Sequence, residues 1–277
     1  MKNRRLATLL AVTLVALATT AVVAQFAQRG RFRRESVTPE SAERGDIPVW
    51  KVDEHYRGDI FTFARIRYRS LEGWGGGNWL TDWPDSDLNF SYRLHELTSL
   101  EVDPIGKFID LTDEALFDYP FVYLIEPGRM WLDDAETAAL RRYLLNGGFL
   151  MVDDFWGERE WDNFYDHIKR VFPDREPMEL PLEHEIFHCV YDLKKKPQIP
   201  SIHAWMRGFT TERPDAEEPH YRGLFDDHGR LMAIICHNTD VGDGWEREGM
   251  DPGYFREFSE KYSYPLGINI VTYAMTH

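Results

Sequence analysis

Apolar residues along this chain fall into short bounded runs that alternate with stretches of helical spacing. Ile60-Phe61-Thr62-Phe63-Ala64-Arg65-Ile66-Arg67-Tyr68 is β-branched and aromatic with a partial period of two, which predicts a strand. A Gly- and Trp-rich loop, 70–84, follows. Asp85 or Ser86 is then placed to cap a helix whose inner face carries Phe90, Leu94 and Leu97. Phe121-Val122-Tyr123-Leu124-Ile125 is uninterrupted, as in a strand buried on both faces, and Glu126-Pro127-Gly128 breaks it. Asp133 and Glu136 have capping-box spacing, so a helix is expected to Leu145, with Gly147 as its left-handed cap. Phe149 to Val152 is the next strand, and it runs directly into Asp153-Asp154. Trp161, Phe164, Tyr165, Ile168 and Phe172 then share one helical face, which Pro173 ends.

Beyond that the rhythm changes. Residues 183–193 are mixed, and 194–222 read as a long loop with four prolines. The run 223–225 and the run 230–236 flank Asp226-Asp227-His228-Gly229, a hairpin signal. Leu266, Ile270 and Tyr273 fit a last helical face. The order β-α-β-α-β-α with apolar strands predicts an α/β fold: a doubly wound, mostly parallel sheet of flavodoxin-like plan with an antiparallel edge hairpin. No internal repeat is visible.

The N-terminus changes the picture of where the chain works. Met1-Lys2-Asn3-Arg4-Arg5 is basic, and Leu6 to Ala24 is an uncharged apolar run. This is the pattern of a secretory signal, and the small residues near Ala24 suit cleavage. Nineteen residues are also just enough to span a bilayer, so an uncleaved anchor is the alternative. Either way the rest is expected outside the cytoplasm, periplasmic or secreted, touching a membrane only through this segment. Residues 25–57 are expected as a linker and 58–277 as one α/β domain. The 277 residues carry a formal charge of −15, and without residues 1–24 the 29 basic and 47 acidic residues leave −18. Nucleic acid is therefore not an expected partner. Two cysteines, Cys189 and Cys236, are compatible with a disulfide or with two buried thiols.

Ligands of parallel α/β sheets collect at the carboxyl ends of the strands. Four segments follow such ends here: 74–83, 126–129, 153–157 and 237–245. They bring Trp74, Asn78, Trp79, Asp82, Glu126, Asp153, Asp154, Trp156, Asp240 and Trp245 to one rim. Trp faces stack on sugars while Asn and Asp read hydroxyls, so a glycan, a small polar molecule or an envelope protein is the expected partner. The competing reading is a surface loop pinned by its Trp side chains. Successive strand residues alternate, so only one of Asp153 and Asp154 can enter a pocket. That residue is a candidate general acid or base, with Glu126 and Asp240 as candidate second carboxylates of a carbohydrate hydrolase. Asn238-x-Asp240-x-x-Asp243 weakly resembles a calcium loop.

His184-Glu185-Ile186-Phe187-His188 has the letters of a zincin motif, which needs a helix to place both rings on one face. Pro181 upstream and an extended-looking Cys189-Val190-Tyr191 speak against that, so His184 and His188 are weak metal candidates. No phosphate-loop or dinucleotide fingerprint occurs, and no cofactor is expected. No Gly-x-Ser-x-Gly or Gly-x-Cys-x-Gly nucleophile turn occurs either.

Several of these segments together resemble a family, the bacterial domain of unknown function 4159. They are Phe61–Tyr68, Trp79 and Asp82, Tyr119-Pro120-Phe121, Leu140 and Tyr143 before Gly147-Gly148-Phe149-Leu150 and Asp153, His184 with Ile186-Phe187-His188, and Gly267-Ile268-Asn269-Ile270-Val271 with Tyr273-Ala274. The resemblance spans about residues 58–277. It implies a fold akin to class I glutamine amidotransferases and trehalose-utilisation proteins, in exported or membrane-attached chains that sometimes accompany von Willebrand factor A-type domains. The amidotransferase cysteine is absent here, since Asp153-Asp154 stands at that turn. The expected function is thus a non-catalytic binding or interaction module, with a carboxylate hydrolase as the alternative and a His-based metal enzyme less favoured.

Overall fold

The computed structural model describes residues 37–53, 55, 59–70 and 78–277. The apolar N-terminal run, the first twelve residues of the expected linker and Trp74 lie outside them. Residues 1–41 and 42–277 are separate compact units, and the described part of the first holds a single 3-10 turn, Pro39–Ser41. Among the described residues no helix is long and apolar enough to cross a membrane.

In the second unit a seven-stranded sheet has the order β3-β1-β4-β6-β9-β8-β7. The strands are β1 (Ala64–Arg67), β3 (Lys107–Asp110), β4 (Phe121–Ile125), β6 (Phe149–Asp153), β7 (Met178–Glu179), β8 (His220–Phe225) and β9 (Leu231–His237). β3, β1, β4, β6 and β9 are parallel, β8 runs antiparallel to β9, and β7 runs antiparallel to β8. A separate antiparallel pair joins β2 (Arg69–Ser70) to β5 (Met130–Trp131). The uninterrupted apolar runs of β4 and β6 are explained by their central position, where every residue is buried.

Helices cover both faces. Phe121, Tyr123, Ile125, Phe149 and Met151 share one core with Phe90 and Leu94 of α1 (Asp85–Leu97) and with the C-terminal helix. The alternate residues Val122, Leu124, Leu150 and Val152 are buried on the opposite face, where α2 (Asp134–Leu145) packs against α3 (Gly157–Val171). α2 starts with the expected capping box: Asp133 Oδ1 accepts from Glu136 N at 2.9 Å and Glu136 Oε2 from Asp133 N at 2.8 Å. It ends at Gly147, with φ of 104°. The next residue must be glycine too, because a Cβ at Gly148 would stand 2.3 Å from the Tyr143 ring.

Some expectations are corrected. α1 is preceded by Pro84 without a side-chain cap, so neither Asp85 nor Ser86 caps it, and Leu97 is 52 % exposed rather than on the inner face. The expected linker does not stay free to residue 57: Trp50 Nε1 donates to Val102 O at 2.7 Å, and the Trp50 ring stacks on His95. The stretch 194–222 contains a short helix, α4 (Ile202–Met206). β3 went unread because four residues framed by Lys and Asp carry too little pattern. The C-terminal stretch is helical from Pro252, with short α5 (Asp243–Glu246) before it. It holds α6 (Pro252–Tyr254), a π-helical segment Phe255–Ser263 and then α7 (Tyr264–Thr276). Cys236 is buried on β9, and Cys189 lies off the sheet with its thiol directed to Asn269 O at 3.2 Å; both are free thiols.

Candidate functional site

The carboxyl ends of β1, β4, β6 and β9 lie on one edge of the sheet. Asp82, Glu126, Asp154 and Asn238 occupy left-handed backbone there, with φ of 63°, 46°, 54° and 61°. They are the only non-glycine residues with positive φ among the described residues. Asp and Asn tolerate this region better than other L-residues, yet each still costs about 1 kcal/mol or more. From these bends Asp82, Glu126 and Asp154 line one cleft, while the Asn238 side chain accepts from Gly157 N and donates to Glu218 O.

The two consecutive aspartates part company. Asp153 is completely buried: its Oδ2 accepts from the Tyr123 hydroxyl and Gly242 N, each at 2.9 Å, and its Oδ1 from Val241 N at 3.2 Å. It ties the loop after β9 to β4 and β6. Burial raises its pKa to about 6 against the pull of those donors. Asp154, one residue on, turns into a cleft of ≈ 360 Å³. Its Oδ1 accepts from Trp156 Nε1 at 3.0 Å. Burial first, then Glu126 and Asp82, push its pKa well above the carboxylate range.

Asp82, Asp154 and Asp240 each present an oxygen within 4.8 Å of the others. Asp82 belongs equally to a second such group with Asp243 and Glu246. Asp240 Oδ1 accepts from Asp243 N at 2.7 Å, and Asp243 Oδ2 accepts from Ile202 N and from the Tyr254 hydroxyl. Glu246 forms a close ion pair with Arg247. Asp82 differs from them all. Among the described residues its carboxylate has no hydrogen bond and no ion pair, and its Oδ2 is shut off from solvent without a partner. Gly242 makes room for it, because a Cβ there would lie 2.9 Å from that Oδ2 and 2.7 Å from the Tyr123 hydroxyl. Burial and the charges of Asp243 and Glu246 raise the Asp82 pKa well above normal. Asp240, 3 % exposed, is raised in the same way by burial, Asp154 and Asp82. Burial brings Glu126 to about 7.

A buried guanidinium holds this arrangement from below. Arg65 of β1 is 0 % exposed. It donates to Trp79 O at 2.9 Å, Thr81 O at 2.8 Å and Ser86 Oγ at 3.1 Å, and grips Asp87 with Nε and Nη2. The carbonyls just before Asp82 are thereby fixed to the sheet.

Of the residues singled out from the sequence, Asn78, Asp82, Glu126, Asp154, Trp156 and Asp240 line the cleft, and the Asn78 amide donates to Glu126 Oε2. Asp153 sits beneath it. Trp79 and Trp245 are not a sugar-stacking rim. Trp79 packs edge-on against Phe108, and Trp245 is completely buried, stacked on Phe90 at 4.2 Å. Both were drawn into the core because an indole gains more from burial than from standing over a polar cleft. Trp156 is only 3 % exposed. His184 and His188 flank a 3-10 turn, Glu185–Phe187, and among the described residues neither belongs to a group of possible metal ligands. His184 Nδ1 accepts from Ile186 N, while the ring nitrogens of His188 pair with Asp192 at 2.7 Å and Leu182 O at 2.6 Å. The helix that a zincin motif needs is replaced by this turn, which the two histidines help to form. Sequence reasoning missed His203, Glu212 and Arg213, which lie in the stretch without periodicity, and Glu246. Asp243 was visible only as the end of the weak calcium-loop pattern.

The donor set is all carboxylate oxygen. Such sets suit hard divalent cations, magnesium, calcium or manganese, rather than zinc.

Fold and site together define an α/β domain with an acidic cleft at the carboxyl edge of its parallel strands. The chain belongs to the family described as domain of unknown function (DUF4159), whose model matches residues 62–275. No curated protein matches it.

Proposed function

We propose that this is an exported binding module whose cleft takes a hard divalent cation on Asp82, Asp154 and Asp240 and, through it, a polar ligand. The observation that carries the reading is the half-buried Asp82 carboxylate, its Oδ2 without a partner, set against the buried carboxylates of Asp154 and Asp240. Three negative charges at that separation, two of them buried, are costly alone and would be neutralised by a dication. Three protein ligands also leave coordination positions open, since calcium takes 6–8 oxygens and magnesium 6. The order of the five parallel strands, second-first-third-fourth-fifth along the chain, is that of flavodoxin-like sheets, in which ligands gather at this edge. That analogy supports the place of the site and no particular chemistry. The basic and apolar N-terminal segment supports export.

A second reading is a hydrolase acting on carbohydrate. It is favoured by Glu126, which lines the same cleft with a pKa near 7 and is suited to take a proton from a cation-bound water.

Calorimetric titration of magnesium, calcium and manganese into chelator-treated protein tests the main reading. At least one cation is expected to bind with a dissociation constant of roughly 1 mM or tighter, and Asp82→Asn is expected to abolish it. Absence of heat and of any thermal shift with all three cations would sink it.

A further inference from the structure

We infer, on the strength of the cation site proposed above, that the ligand is a neutral polyhydroxylated molecule, a sugar or polyol held through a vicinal pair of hydroxyls on the cation. The balance of donors and acceptors in the cleft points there. Besides the cation-facing carboxylates, Glu126, Glu160 and Glu212 line it. Glu126 accepts from Asn78 and Glu212 from Ser201 N, and each keeps acceptor capacity to spare. Three guanidiniums line the cleft and none is free: Arg213 is paired with Glu160, Arg247 with Glu246, and Arg129 has a partner as well. A phosphate or carboxylate ligand would have to break those pairs and then lie among surplus carboxylates.

A vicinal diol meets the opposite conditions. Its two oxygens replace two waters on the cation and add no charge. Its O–H groups, made more acidic by the cation, donate outward to carboxylates such as Glu126 and Glu212. The cleft, at ≈ 360 Å³, has the size of a small-ligand pocket. Among the described residues no indole face is free for stacking in the cleft, because Trp79 and Trp245 are in the core and Trp156 is only 3 % exposed. The cation and the carboxylates must supply the grip.

The test is calorimetry on the intact protein, first with calcium or magnesium alone and then with methyl glycosides bearing cis or trans vicinal hydroxyls. 1,3-Propanediol, inorganic phosphate and spermidine serve as contrasting probes. A vicinal-diol glycoside is expected to bind the cation-loaded protein and not the chelator-treated one. Glu212→Gln should weaken that binding about ten-fold with the affinity for cation alone unchanged within about two-fold. Cation binding with no glycoside response overturns this inference and leaves the cation site standing, as does tighter binding of phosphate or spermidine, or glycoside binding that survives the chelator. A protein that takes no cation in the first titration overturns the cation site itself.

Discussion

Asp153 and Asp154 are covalent neighbours with opposite surroundings: the first is saturated by three donors, and the second faces a cleft with one. The turn to left-handed backbone at Asp154 produces the difference. Their substitutions should separate accordingly. Asp153→Ala is expected to destabilise the fold by about 2–4 kcal/mol, since it strands the buried Tyr123 hydroxyl and two backbone N–H groups. Asp154→Asn should leave stability nearly intact and abolish cation binding. Urea unfolding alongside calorimetric titration distinguishes the two.

Asp82 is a half-buried carboxylate whose Oδ2 is shut off from solvent without a partner, so its neutralisation should help the cation-free fold. Asp82→Asn is expected to raise the stability of chelator-treated protein by about 1 kcal/mol or more and to eliminate the stabilisation by added cation. Thermal melts with and without cation give both numbers. A fall in chelated stability would mean that Asp82 has a structural partner.

Stability of the cation-free protein should fall as pH rises from about 4 to about 7. Asp153 is raised from 3.8 to about 6, and Glu126 and Glu246 from 4.5 to about 7. In that window the folded state holds more protons than the unfolded one, so each step up in pH favours unfolding. Cation binding displaces those protons, and its affinity should rise over the same range. Denaturant midpoints at several pH values, repeated with saturating cation, should show the slope flatten.

Arg65 anchors the turn before Asp82 while compensating Asp87. Arg65→Met is expected to cost about 3–5 kcal/mol, because it leaves Asp87 buried with its counter-charge gone. Arg65→Met with Asp87→Leu should recover much of that stability. Cation affinity should not recover, as the carbonyls of Trp79 and Thr81 would still lack their clamp. Unfolding curves and titrations of both variants check this.

His184→Ala and His188→Ala should leave cation binding unchanged, since their rings serve a turn around Ile186 and Leu182. Loss of cation affinity in either would contradict the placement of the site.

The sequence by itself determined the sheet and the edge to inspect. Apolar runs such as Phe121–Ile125 and Phe149–Val152 are legible because burying both faces of a strand demands apolar residues throughout. The capping box at Asp133 and the hairpin at Asp226–Gly229 are equally local signals. β3 and α4 were illegible, because short elements are held by neighbours rather than by their own pattern. The carboxylates at Asp82, Glu126, Asp154 and Asp240 could be named, but their convergence could not. It depends on left-handed bends, on the room left by Gly242 and on Arg65 gripping carbonyls across the fold. Tertiary structure alone decided that Trp79 and Trp245 belong to the core and that Asp153 is support while Asp154 is site. A side chain's environment is set by what other segments place around it, and no local pattern encodes that.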